Sequence, residues 1–177
     1  MTLVVGDKAP EFQVQPIFGL PLKIPAELAM GPLVVCFVRP LGSPLARQTL
    51  SELQEAFPQL DRVGARLLAV TDAPLLMARD FVPRHHLLFP VVVGASGALG
   101  QAFGVEPIPG MRSRVAGPAG VRRALRSLQH GGWPSGPGVL PASFVLGRQG
   151  TLLHVRYGRT IYEPPAVSEF LKCVSLH

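Results

Sequence analysis

From residue 33 to residue 104 the chain alternates between short apolar runs and stretches with helical spacing. This alternation limits its possible folds more than any other property. "LVVCFV" (33–38) is apolar at every position, as a strand covered on both faces must be. From Pro44 the apolar residues Leu45, Leu50, Leu53, Phe57 and Leu60 keep to a helical period, and Pro58 is expected to kink or end that helix. "ARLLAVT" (65–71) follows as a second buried strand and "PLLMARDFV" (74–82) as a helix closed by Pro83. "LLFPVVV" (87–93) is then a third strand, and "SGALGQAFG" (96–104) a short helix ending at Gly104. Strands joined through helices pair in parallel. Further on, "PASFVLGRQGTLLHVRYG" (141–158) holds two strand-like runs around the turn "GRQG", a hairpin signal, and "PAVSEFLKCVSLH" (165–177) closes the chain with a helix. The pattern predicts an α/β protein with a central mixed sheet and helices on both faces. The residues before 33 are predicted only as a short extended lead-in.

At 177 residues the chain suits one domain, spanning 1–177. An apolar content of 47% supports a packed interior. The apolar runs are too short for a membrane span, and the start carries no cleavable apolar segment, so the expected address is cytoplasmic. Two cysteines, Cys36 and Cys173, are too few for a disulfide scaffold and are not spaced as metal ligands. Cys36, inside the first buried strand, is expected to be a small buried hydrophobe. Cys173, on the last helix, is expected to be a passive surface thiol. The net charge of +6 is partly concentrated in Arg112, Arg114, Arg122, Arg123 and Arg126. Such a patch suits an anionic partner. In "GVRRALRSLQHGG", however, Val121, Ala124, Leu125 and Leu128 fall at helical spacing with the arginines on the remaining faces, as in an ordinary surface helix. With no zinc-finger spacing, aromatic-basic RNA motif or phosphate-binding loop, nucleic-acid binding is not indicated.

Four segments carry a resemblance: "GDKAPEF" (6–12), "RPLGSPLAR" (39–47), "FPVVVGASGALGQAFGV" (89–105) and "LPASFVLGRQGTLLHVRYG" (140–158). In order and spacing, over nearly the whole chain, they are similar to the peroxiredoxin-like proteins of the alkyl hydroperoxide reductase and thiol-specific antioxidant family. The resemblance implies a thioredoxin-like fold and thiol peroxidase or disulfide chemistry, with no cofactor. Its least typical part is an Arg-, Gly- and Pro-rich insertion at about 106–139.

That chemistry needs a thiolate where a helix begins, because the helix dipole and unpaired backbone N–H groups lower a thiol's pKa. The resemblance implies GCPxCR at the turn, and here the turn is "GSPLAR", with Ser43 and Ala46 at the two cysteine positions. In the other family pattern, PxxxTxxC counted from Pro40, Pro44 stands at the Thr position and Arg47 at the Cys position. Neither register holds a thiol. Ser43 before Pro44 is instead a strong helix start, with Ser43 as N-cap and Pro44 at the first helical position. Arg47, one turn inside, is placed to present a cation to an anion, or simply to meet solvent. Pro141 stands where the resemblance implies a cis-proline, although its own residues leave cis and trans open. A shallow apolar groove is expected from Pro40, Leu41, Gly42, Pro44, Arg47, Leu140 and Pro141.

Other polar residues carry weaker signals. His85 and His86, if on a strand, point to opposite faces and make no metal site. Asp72 is either a strand-end functional residue or a helix start. Trp133 either anchors the insertion or contacts a partner. Two functional readings stay open. In the first, the protein is a degenerate, non-catalytic binding or regulatory module with an unidentified protein or small-molecule partner at the groove, or with a second copy of itself as partner in a homodimer. In the second, it is an antioxidant thiol oxidoreductase that uses Cys36 or Cys173, or whose native cysteines stand replaced at Ser43 and Ala46.

Overall fold

The computed structural model describes residues 2–94, 97–108, 138–160, 162–163, 165 and 167–175. Its frame is a five-stranded sheet. The strands are β3 (Leu33–Phe37), β4 (Arg66–Thr71), β5 (Val91–Val93), β6 (Ala142–Leu146) and β7 (Leu152–Tyr157), in the spatial order β5-β4-β3-β6-β7. β3 pairs in parallel with β4, and β4 with β5, while β6 runs antiparallel to both β3 and β7. The sheet is therefore mixed, as the alternation predicted. Every residue of β3 is buried, because alternate side chains enter two separate cores.

On one face Val35, Phe37, Leu68, Val70, Phe144 and Leu146 pack with Leu28 of a 3-10 helix (Ala26–Met30) and with Leu99 and Phe103 at α3 (Ala98–Ala102). Four phenyl rings and a phenol meet there. Phe103 lies 4.8 Å from Phe144 and 5.5 Å from Phe12, and Tyr157 stands edge-on to Phe144 at 5.4 Å. On the other face Val34, Cys36, Leu67, Ala69 and Val145 meet three helices: α1 (Pro44–Arg62), α2 (Leu75–Arg84) and α4 (Val167–Ser175). Helices therefore cover both faces.

Several boundaries differ from the sequence reading. The lead-in is a small antiparallel hairpin of β1 (Phe12–Val14) and β2 (Leu22–Ile24), not a plain extended segment. Pro58 does not end α1, which continues to Arg62. The proline sits on the exposed side while Leu53, Ala56 and Leu60 are buried, and their burial outweighs the roughly 3 kcal/mol an internal proline costs. Pro83 lies one residue inside the end of α2. Only Val91–Val93 of "LLFPVVV" forms a strand, since Pro90 has no N–H to donate and contributes only its carbonyl, which accepts from Ala69 N. His85 caps the C-terminus of α2 and His86 follows at φ 50°, so neither lies on a strand. The amphipathic helix expected around Arg122, Arg123 and Arg126, the other arginines of that patch, and Trp133 lie outside the described residues.

Candidate functional site

The turn between β3 and α1 is built by backbone bonds from its neighbours. Val38 N–H donates to Val70 O at 2.8 Å, and Thr71 Oγ1 donates to the carbonyl of Arg39 at 2.9 Å. Ser43 N–H then closes a turn onto Pro40 O at 2.9 Å. Ser43 is extended (φ −85°, ψ 137°), its Oγ accepts from Ala46 N–H at 3.4 Å, and Pro44 opens the helix. The hydroxyl is thus used as a helix cap. Ala46 is wholly buried, and no base stands in hydrogen-bond contact with Ser43 Oγ among the described residues.

The residues expected to share one groove separate into several places. Leu41 is buried in the helix-side core and Pro40 is also buried, whereas Gly42 and Pro44 are exposed at the turn. Arg47 does not line the hollow at Pro141 and instead borders a separate cup between α1 and α2, with Ser51, Phe81 and His85. Pro141 does face the turn, across a small hollow lined also by Val38, Arg39, Leu45, Gln48, Thr49, Tyr162 and Glu163. Its volume is about 50 Å³, room for one or two waters at roughly 30 Å³ each. On its other side Pro141, with Leu140, walls a second hollow of about 320 Å³ that includes Glu106, Tyr157 and Arg159. Sequence reasoning missed Gln48, Thr49 and Glu163 at the small hollow and Tyr157 at the larger one, because which residues meet around Pro141 depends on how segments far apart in the chain come together.

The peptide bond before Pro141 is trans, which corrects the cis state implied by the resemblance; the one cis bond among the described residues is Ile24–Pro25. Pro141 is held by Gly158, whose N–H donates to Pro141 O at 2.7 Å. The insertion is rooted at this place. Pro107 pairs with Val139, and Ile108 N–H donates to Gly138 O at 2.8 Å. Gly138 passes so near Pro40 that a Cβ there would lie 2.8 Å from the proline ring.

Neither cysteine lines these hollows. Cys36 stands opposite Ala69 and Ser143 in the middle of the sheet, has no exposed surface, and burial pushes its thiol pKa well up. Cys173 donates to Leu153 O at 3.5 Å from α4, and its thiol is also raised by burial. Ser143, in the same row as Cys36, hydrogen-bonds His154 Nε2 at 3.2 Å. Burial holds His154 below the ordinary imidazole pKa; Glu169 counters that and Arg156 adds to it. Ser143 is wholly buried, so its hydroxyl is closed to solvent, whereas His154 is half-buried. No group of three or more His, Cys, Asp or Glu that could hold a metal occurs among the described residues, and no described helix is long and apolar enough to cross a membrane.

Comparison with protein families matches residues 5–155 to the AhpC/TSA family. No curated protein matches the sequence. Among solved structures, peroxidoxin BcpB of Mycobacterium tuberculosis superposes with a TM-score of 0.71 at 16% identity, over 97% of this chain and 96% of that one. A mutant of PrxQ from Xylella fastidiosa gives 0.74 at 14% identity, over 100% and 98%. A peroxiredoxin-like protein of Aquifex aeolicus gives 0.69 at 17% identity, over 99% and 88%. At these identities the structures speak for the fold, which is thioredoxin-like.

Proposed function

The chain belongs to the AhpC/TSA family, and on that premise we propose that it is a member without thiol peroxidase or disulfide-exchange chemistry, acting in the cytoplasm as a binding or regulatory module. The observation that carries this reading is the start of α1. There Ser43 is spent as a cap and Ala46 is buried, so no thiol meets the helix dipole. The two remaining thiols have pKa values raised rather than lowered, which leaves them as poor nucleophiles. Among the described residues Ser43 Oγ has no positioned base, which an alcohol needs to act as a nucleophile.

Binding is then the property left to the site. The hollow beside Leu140 and Pro141, at about 320 Å³, reaches the lower end of the range for small-molecule pockets and offers both apolar walls and a carboxylate and guanidinium at Glu106 and Arg159. The reading is tested by hydrogen peroxide consumption with dithiothreitol or thioredoxin as reductant. The expected rate equals that of a protein-free control, and turnover that disappears in Cys36→Ser or Cys173→Ser would overturn the reading.

A further inference from the structure

Arg47 lines not the groove beside Pro141 but a separate cup of about 90 Å³ between α1 and α2. We propose that this cup binds a tetrahedral oxyanion, either free inorganic phosphate or the end of a phosphomonoester. Its polar lining comes from Arg47, Ser51 and Gln54 on α1 and from His85 at the end of α2. Each of these side chains can donate a hydrogen bond, Arg47 with a permanent charge, and none carries a negative charge. A guanidinium fork facing hydroxyl, amide and imidazole donors is complementary to an oxyanion and poorly matched to a cation.

Two of the donors are already oriented. Gln54 Oε1 accepts from Leu88 N at 3.1 Å, which leaves its NH₂ as the free end of the amide. The His85 ring stacks on Phe81 with centroids 4.0 Å apart and planes 28° from parallel, so its nitrogens are held at the ring edge. No acidic side chain of α1 or α2 lines the cup. Glu52 accepts from Gln48 at 3.1 Å, and Asp80 pairs with Arg84 at 2.8 Å. Neither Arg47 nor Ser51 has a side-chain partner among the described residues. Size sets the ligand class, since about 90 Å³ corresponds to roughly three water volumes, enough for a phosphate group and too little for a nucleotide base.

The test is a ¹H–¹⁵N NMR titration of the full chain with sodium phosphate and with glycerol 3-phosphate, at ionic strength held constant with sodium chloride. The expected result is saturable shifts centred on Arg47, Ser51, Gln54 and His85. Affinity should fall about tenfold in Arg47→Gln, the loss of one charge-assisted contact, and less in Ser51→Ala. Arg148→Gln, which removes an equal charge from the distant β6–β7 turn, should leave it unchanged. Tighter binding of the monoester would identify a phosphorylated small molecule as the occupant, and equal binding the free ion. Shifts reproduced by chloride alone, spread over the whole surface, or equally weakened by Arg47→Gln and Arg148→Gln would overturn the site.

Discussion

At the scale of single residues, the chemistry is set by where side chains are buried. Ser43, Ala46 and Cys36 were legible from the sequence because the absence of a thiol at a helix start needs no geometry to recognise, whereas Cys173, expected at the surface, is partly buried and bonded to Leu153 O. The partnership of Ser143 with His154 was not legible. The two are eleven residues apart, and they meet only because β6 and β7 pair with Val145 opposite His154. This pair makes stability depend on pH. The folded chain resists protonating His154, whereas in the unfolded chain it titrates near 6.5. Its contribution is therefore complete above about pH 6.5 and is lost as pH falls through the lower folded value. The urea midpoint should decline between about pH 7 and pH 5, and His154→Gln should flatten that decline. An unaltered slope in the variant would assign the pH dependence to groups other than His154.

At the scale of elements, strands and helices with strong periods were readable, and those whose limits depend on neighbours were not. β3, β4, α1 and the β6–β7 hairpin each carry enough apolar pattern to declare themselves. The three-residue strands β1 and β2 do not, since a run that short carries no resolvable period. The direction taken by Arg47 depends on where α2 docks, which a helical period cannot report.

Two joints between elements give predictions. Gly31, just before β3, has φ 153°, and a Cβ there would come within 2.1 Å of Gly64 O, just before β4. Arg66 N–H donates to Pro32 O beside it at 2.9 Å, so this contact begins the parallel ladder. Gly31→Ala should cost about 3 kcal/mol in urea unfolding, against about 1 kcal/mol for Gly64→Ala, whose added methyl meets open space at φ 71°. Equal costs would show that the close approach is not a constraint.

The second joint is the start of α1. Ser43→Cys with Ala46→Cys, in a background lacking Cys36 and Cys173, should place two sulfurs on one side of the first turn and within disulfide reach. The thiol introduced at position 43 should titrate below the roughly 8.5 of a free cysteine. Thiol counting across graded redox buffers would show a reversible couple. A folded variant whose thiols stay unpaired and titrate normally would remove the redox-turn interpretation of this helix start.

At the scale of the whole molecule, the order of elements was enough to predict a mixed sheet covered on both faces, because each crossover strand must be buried on both sides. What the sequence could not show was how little space remains at the turn. One wall of the predicted groove is buried core, another faces α2, and Pro141 separates a hollow of water size from a larger one on its far side. The described residues keep the family fold, and the start of α1 holds a capping serine and a buried alanine. On the proposed function, neither thiol of this protein reacts rapidly with peroxide. This is tested most directly by intact-mass and peptide-mass measurement of the native chain after brief exposure to a small excess of hydrogen peroxide, with a reagent present that traps sulfenic acid. The expected product is an unmodified chain, with Cys36 and Cys173 both recovered as thiols. Rapid, stoichiometric oxygen addition at either cysteine of the folded protein would contradict it.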